Sequence, residues 1–238
     1  MGRLLRSVYV WLFRVLRAVL RPLGFLRWLE RRGTRRALWL RSLFAIYDAD
    51  DLMHLDMAWW TFDALDAVER FLAGRDGARV FEYGSGASTL WLSRRAGKVV
   101  SVEHDADWMR IVEAKIAGAG NVRLSGVPSA GDGHIASAKS GFGGQYFDAY
   151  VRAIDAEDGE FDLIVIDGRA REACLEAAIP RLAPGGIILV DDTKRARYRA
   201  AIEASGLAFR RFDGLAVSLP VADSTTLLAR DKAVLDAL

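Results

Sequence analysis

The stretch 79–105, RVFEYGSGASTLWLSRRAGKVVSVEHD, constrains the fold more than any other part of the chain. An apolar run of strand length, residues 80–83, meets a tight turn, Gly84-Ser85-Gly86. Ser88 is a good N-cap, and the spacing predicts a helix from about Ser88 to Gly97. A second strand over 99–102 ends at Glu103. Strand, glycine loop, helix, strand and terminal acid make a nucleotide-binding half-unit. The glycines let the backbone approach a ligand, and an acid 17 residues beyond Gly86 can accept hydrogen bonds from ribose hydroxyls.

A dinucleotide fingerprint would want Gly or Ala at position 89, where this chain has Thr89, and an acid, Glu82, stands just before the loop. Acid-x-Gly-x-Gly with an acid ending the second strand resembles class I S-adenosylmethionine-dependent methyltransferases, in particular bacterial members with the FEYGSG-x-ST loop. The resemblance extends through FDLIVIDG, a helix, L-x-PGG and IILVDD over residues 161–192, and covers roughly 56–230. It implies a doubly wound α/β fold whose mostly parallel seven-stranded sheet ends in an antiparallel strand. It places the cofactor on Glu82, Gly84, Ser85, Gly86, Ser88, Glu103, His104 and Asp167. In that family the first acid lies near the methionine amino group and the second holds the ribose. An NAD-dependent oxidoreductase on a similar sheet is the alternative enzyme, and a non-catalytic membrane-bound module the alternative without chemistry.

Catalytic candidates must stand at the carboxyl ends of strands, which selects Asp167, Asp191 and Asp192. Asp167 and Asp192 are expected to work on the acceptor. Cation-dependent O-methyltransferases of the catechol type place acids at these points around a divalent ion, and hard oxygen ligands suit Mg²⁺ or Ca²⁺. Here Asp-Gly-Arg-Ala-Arg lacks the second acid that many such enzymes carry, so whether a metal takes part stays open. Arg169 and Arg171 either hold an anionic acceptor or are solvated. A Gly- and Ser-rich stretch, 125–145, follows the third strand and reads as a mobile lid, with His134 in it as a further catalytic candidate.

The net charge of +2 hides an asymmetry. Residues 1–41 hold eleven arginines against the single acid Glu30, a net +10, and the remainder carries −8. The acidic remainder argues against nucleic acid as a partner of the catalytic part. Residues 1–21 predict a basic amphipathic helix, with Arg3, Arg6, Arg14, Arg17 and Arg21 within an arc of roughly 80°. Arg14 and Arg17 interrupt any spanning window, and no signal-peptide or myristoylation pattern is present. Such a helix lies on an anionic membrane surface or packs on protein. The expected organisation is a basic helical extension, 1–44, and a methyltransferase domain, 45–238. The expected setting is the cytoplasm, peripheral at the inner face of the cell membrane, with a small-molecule or lipid-linked acceptor. An acidic connector is expected at 48–55, one helix over 56–73 and a frayed end at 232–238. The lone Cys174 excludes an internal disulfide.

Overall fold

A computed structural model describes residues 3–46 and 48–238; Met1, Gly2 and Tyr47, on which part of the expected N-terminal helix and connector falls, lie outside the described residues. Five helices precede the sheet: α1 (Arg3–Leu20), α2 (Phe25–Arg32), α3 (Arg35–Leu43), α4 (Ala49–His54) and α5 (Phe62–Ala73). The first half of the sheet is β1 (Arg79–Tyr83), α6 (Ala87–Ser93), β2 (Lys98–Glu103), α7 (Ala106–Ile116) and β3 (Val122–Gly126). The second half is α8 (Asp148–Arg152), β4 (Phe161–Ile166), α9 (Arg171–Ala178), β5 (Leu182–Val190), α10 (Ala196–Ala204), β6 (Ala208–Gly214), β7 (Asp223–Ala229) and α11 (Lys232–Asp236).

The seven strands lie in the order β3-β2-β1-β4-β5-β7-β6, with β7 antiparallel to both neighbours. Strand order reverses between β1 and β4, which pair in parallel. Loops leaving those two strands diverge to opposite faces and open a crevice at their carboxyl ends, where α/β sheets bind ligands.

The central strands are apolar on both faces because helices cover both. Val80, Val99, Leu163, Val165 and Leu189 pack against α5 and α6, where Trp60 and Trp91 meet edge to face with centroids 5.6 Å apart. Phe81, Tyr83, Ile164, Ile166 and Val190 pack against Tyr150, Cys174, Leu175 and Ile202. Glu82 is the one charged side chain of β1 pointing into the first core, and it is fully buried.

Several expected boundaries move, each for a local reason. The 56–73 helix starts only at Phe62, because residues 60–62 pair with the distant loop at 215–217. Phe62 N–H donates to the Leu215 carbonyl, and Val217 N–H to that of Trp60, both at 3.0 Å. Asp56, at φ 52°, is bound instead by Arg94 and Arg95. The acidic connector contains a helix, α4, whose N-cap Asp48 accepts from Asp51 N–H. The basic segment after Gly24 divides at Gly33, φ 61°, into α2 and α3. The 232–238 end is helical and seats Leu235 in the core.

The N-terminal helices are bound into the body. Arg41, 3% exposed, donates from Nη1 and Nη2 to Asp51 at 2.8 and 2.6 Å and from Nε to Glu30 at 2.6 Å. Trp39 Nε1–H donates to the Leu219 carbonyl at 2.9 Å. Ser218 N–H donates to Ser42 Oγ at 2.9 Å, and Ser218 Oγ–H to the Ser42 carbonyl at 2.7 Å. On α1, Phe13, Arg17 and Leu20 turn inward, Arg17 pairing with Asp48 and Asp51. The opposite face, Val8, Trp11, Leu12, Val15, Leu16 and Val19, is exposed.

Candidate active site

The glycine loop is anchored from behind by Glu82. Its carboxyl accepts from Ser88 Oγ at 2.5 Å and from Thr89 Oγ1 and Ser101 Oγ at 2.6 Å each. Burial pushes its pKa up to about 7, against the lowering pull of those hydroxyls. Thr89 Oγ1 also accepts from Gly86 N–H at 2.9 Å, so the residue that breaks the dinucleotide fingerprint ties the turn to the strand. Glu82 therefore stands behind the loop and is not among the residues that line the cleft.

In front of the loop lies an open cleft of about 290 Å³, close to the lower end of the range for small-molecule sites. Gly84, Ser85, Gly86, Ser88, Glu103, His104 and Asp167 line it, as expected, together with Trp59, Trp108, Gly168 and Arg169. Glu103 Oε2 accepts from Ser85 N–H at 3.0 Å, and Oε1 accepts from the N–H groups of His104 and Asp105 at 2.8 and 2.9 Å. Burial opposes its charge, but His104 and these amides together hold its pKa below the usual range, so it is ionised and aimed at the cleft. That is the chemistry a ribose diol needs. Trp108 Nε1–H donates to the Ser85 carbonyl at 2.8 Å and sets an aromatic wall over the loop. The residues present fit an adenosine-bearing cofactor.

Gly84 and Gly168 explain how closely the two strand ends approach. A Cβ at Gly84, φ 96°, would lie 2.7 Å from Gly168 Cα, and one at Gly168 would collide with the Tyr150 hydroxyl. Only paired glycines let the cofactor loop and the acid loop after β4 touch.

A second cleft of about 290 Å³ adjoins the first and shares Trp59 and Asp167 with it. Its walls are Ile46, Val217, Ser218 and Leu219 on one side and Asp191, Asp192 and Lys139 on the other. Two of the four non-glycine residues with positive φ among the described residues line it: Asp192 at 59° and Ser218 at 61°. Strained backbone of this kind clusters at working sites.

The acids form a buried cluster around Arg171, which is 6% exposed. Its Nη2 lies 2.8 Å from Asp167 Oδ1 and 3.3 Å from Asp192 Oδ2, and its Nη1 donates to the Asp191 carbonyl at 2.6 Å. Burial disfavours the guanidinium charge, but the three carboxylates outweigh it and raise the pKa. Asp167 is pushed up to about 6, by burial against the pull of Arg171, with Asp192 adding to the rise. Asp191 is raised well above the carboxylate range by burial and Asp167, and it accepts from Thr225 Oγ1 at 2.7 Å. Arg171, read from sequence as an acceptor anchor or a solvated residue, is neither. An arginine one helical turn after a strand-end acid was the available signal.

His134 lines neither cleft. It is exposed, and its backbone N–H donates to Asp148. The lid stretch nonetheless reaches the site. Tyr146 bridges to Ala130 and Ala136, Phe142 stands 5.6 Å from the His104 ring under Arg169, and Lys139 lines the second cleft.

A family model described as a methyltransferase domain matches residues 81–193. No curated protein matches the chain. Among solved structures, an O-methyltransferase from Bacillus cereus in complex with SAH aligns at 19% identity and TM-score 0.55, over 76% of this chain and 90% of that one. The O-methyltransferase TomG from Streptomyces achromogenes, involved in tomaymycin synthesis and solved with SAM, aligns at 18% identity and TM-score 0.53, over 77% and 88%. Both likenesses are of fold. With the matched stretch and the antiparallel seventh strand, residues 81–193 carry the core of a methyltransferase domain in a seven-stranded fold that those two structures share.

Proposed function

We propose that this enzyme methylates a hydroxyl oxygen on an amphiphilic acceptor met at an anionic membrane surface. The observation that carries the reading is that Asp167 lines both clefts, between the cofactor's place and the acceptor's. S-adenosylmethionine supplies an electrophilic methyl group on a sulfonium. Glu103 would orient the nucleoside through its ribose, and Trp59 would bound both ligands. An acceptor oxygen held in the second cleft would take that methyl group, its new bond to the methyl carbon replacing the carbon–sulfur bond. The hydroxyl proton passes to the Asp167 carboxylate, whose pKa of about 6 suits a base working near neutral pH. The apolar wall of Ile46, Trp59, Val217 and Leu219 favours an acceptor with a hydrocarbon body.

The membrane part of the reading is supported by α1. Its exposed apolar face carries Trp11, 64% exposed, and continues through Leu23 and Trp28, with Arg14, Arg21 and Arg27 exposed beside it. No helix among the described residues is long and apolar enough to cross a membrane. An apolar face rimmed by arginines suits the interface of an anionic bilayer. The inner face of the cell membrane is then the place of action.

Methyl-labelled S-adenosylmethionine and membrane lipid extracts test the reaction. Label should enter an organic-soluble product, with a loss of about 10²–10⁴-fold in Asp167→Asn. Transfer that is unaltered by that substitution, or confined to water-soluble amines, overturns the proposal.

A further inference from the structure

We infer that the Arg171 guanidinium is the resident cation of the Asp167–Asp191–Asp192 cluster, and that methyl transfer here proceeds without a divalent metal ion. The inference rests on the reading of the second cleft as the acceptor site.

Acids at the ends of β4 and β5 converge as in a cation-dependent site, but their centre is filled. Arg171 Nη2 contacts Asp167 Oδ1 at 2.8 Å, the Asp167 carbonyl at 3.0 Å and Asp192 Oδ2 at 3.3 Å. Nη1 donates to the Asp191 carbonyl at 2.6 Å and stands 3.9 Å from Asp191 Oδ2, and Nε donates to the Gly168 carbonyl at 3.2 Å. Mg²⁺ or Ca²⁺ binds oxygens at about 2.0–2.6 Å. An ion placed among these oxygens would overlap nitrogens that already hold them. The guanidinium has no easy way out. Arg171 opens α9 directly after the left-handed Ala170, and its guanidinium lies 5.5 Å from the centre of the Tyr198 ring. Extracting one partner of a buried ion network strands the others uncompensated. A second guanidinium, Arg195, pairs with Asp192 at 3.0 Å and takes up more of the negative charge that an incoming ion would need. Among the described residues, no group of three or more His, Cys, Asp or Glu side chains is disposed to hold a metal.

The substrate consequence is specific. A divalent ion in such a site holds two neighbouring oxygens of a diol, whereas a guanidinium spent on protein oxygens holds none. A single hydroxyl beside Asp167 is then sufficient.

Mn²⁺ titration of the full chain with S-adenosylhomocysteine, followed by electron paramagnetic resonance at neutral pH, tests this. The wild type should leave the free-ion spectrum unchanged through the millimolar range. Arg171→Ala should gain one bound equivalent, and Arg171→Lys, which restores a cation, should lose it again. One equivalent bound by the wild type and lost in Asp192→Asn overturns the inference, as does a folded Arg171→Ala that still takes up no Mn²⁺. Should Arg171→Ala fail to fold, the wild-type and Asp192→Asn titrations decide. Calorimetry of S-adenosylhomocysteine on the same samples separates this outcome from failure of the methyltransferase reading, since cofactor binding does not depend on the Mn²⁺ result.

Discussion

At the scale of single residues, the site sets its charges by enclosure. Glu82 illustrates the cost. Its folded pKa of about 7 lies above its ordinary 4.5, so between those values the native state binds more protons than the unfolded state. Stability is therefore fully present at low pH and falls as pH rises through that window, by about 3 kcal/mol for this group alone. Denaturant melts at pH 5 and pH 8 should show that fall in the wild type and a smaller one in Glu82→Gln. Asp167 titrates with the opposite consequence for catalysis: as a base it is lost on protonation, so transfer should fall tenfold per unit below about pH 6 in a pH–rate profile. Gly168→Ala should cost about 1–3 kcal/mol through its collision with Tyr150, with part recovered in the double variant with Tyr150→Phe, read by chemical denaturation. The sequence made legible that Glu103, the loop glycines and Asp167 stand at the cleft, because strand ends and the turns after them follow from local pattern. It did not reveal that Glu82 faces away from the cleft. β1 points successive side chains to opposite faces, and nothing local says which face Ser88, Thr89 and Ser101 occupy. Nor did the sequence place His134 relative to the two clefts, since a loop's composition does not give its course.

Among elements, strands and their order were legible wherever periodicity was continuous, as in β4, whose bounds agree with the apolar run at 161–166. The start of α5 was not, because a pairing with residues 215–217 overrides a helical pattern. The same distant loop meets α3. Ser42 and Ser218 are both fully enclosed, so Ser42→Ala leaves the Ser218 N–H without a partner. That should cost about 1–3 kcal/mol in denaturant melts. Cofactor affinity should stay unchanged by calorimetry, since neither serine lines the first cleft.

For the whole molecule, the basic N-terminus and acidic remainder led to the expectation of two regions with different partners, and the structure binds the N-terminal helices into the body. Arg17, counted from sequence with the membrane-facing arginines, is turned toward Asp48 and Asp51. Trp11→Glu combined with Val15→Glu should abolish cosedimentation with anionic vesicles while leaving S-adenosylhomocysteine binding intact; retained cosedimentation would remove the membrane from the account. Binding should also weaken as salt is raised. The contact of Ser42 with Ser218 has a further consequence, for inheritance. One wall of the acceptor cleft is assembled from Ile46, just past α3, and from residues 217–219 before β7, while the cofactor cleft draws on neither segment. On the proposed reading of that cleft, acceptor choice would be carried by two stretches far apart in the gene that must remain compatible with each other. A chimera exchanging residues 35–46 together with 214–222 should transplant that choice onto a relative, whereas grafting either stretch alone should yield a protein that recognises neither parent's acceptor.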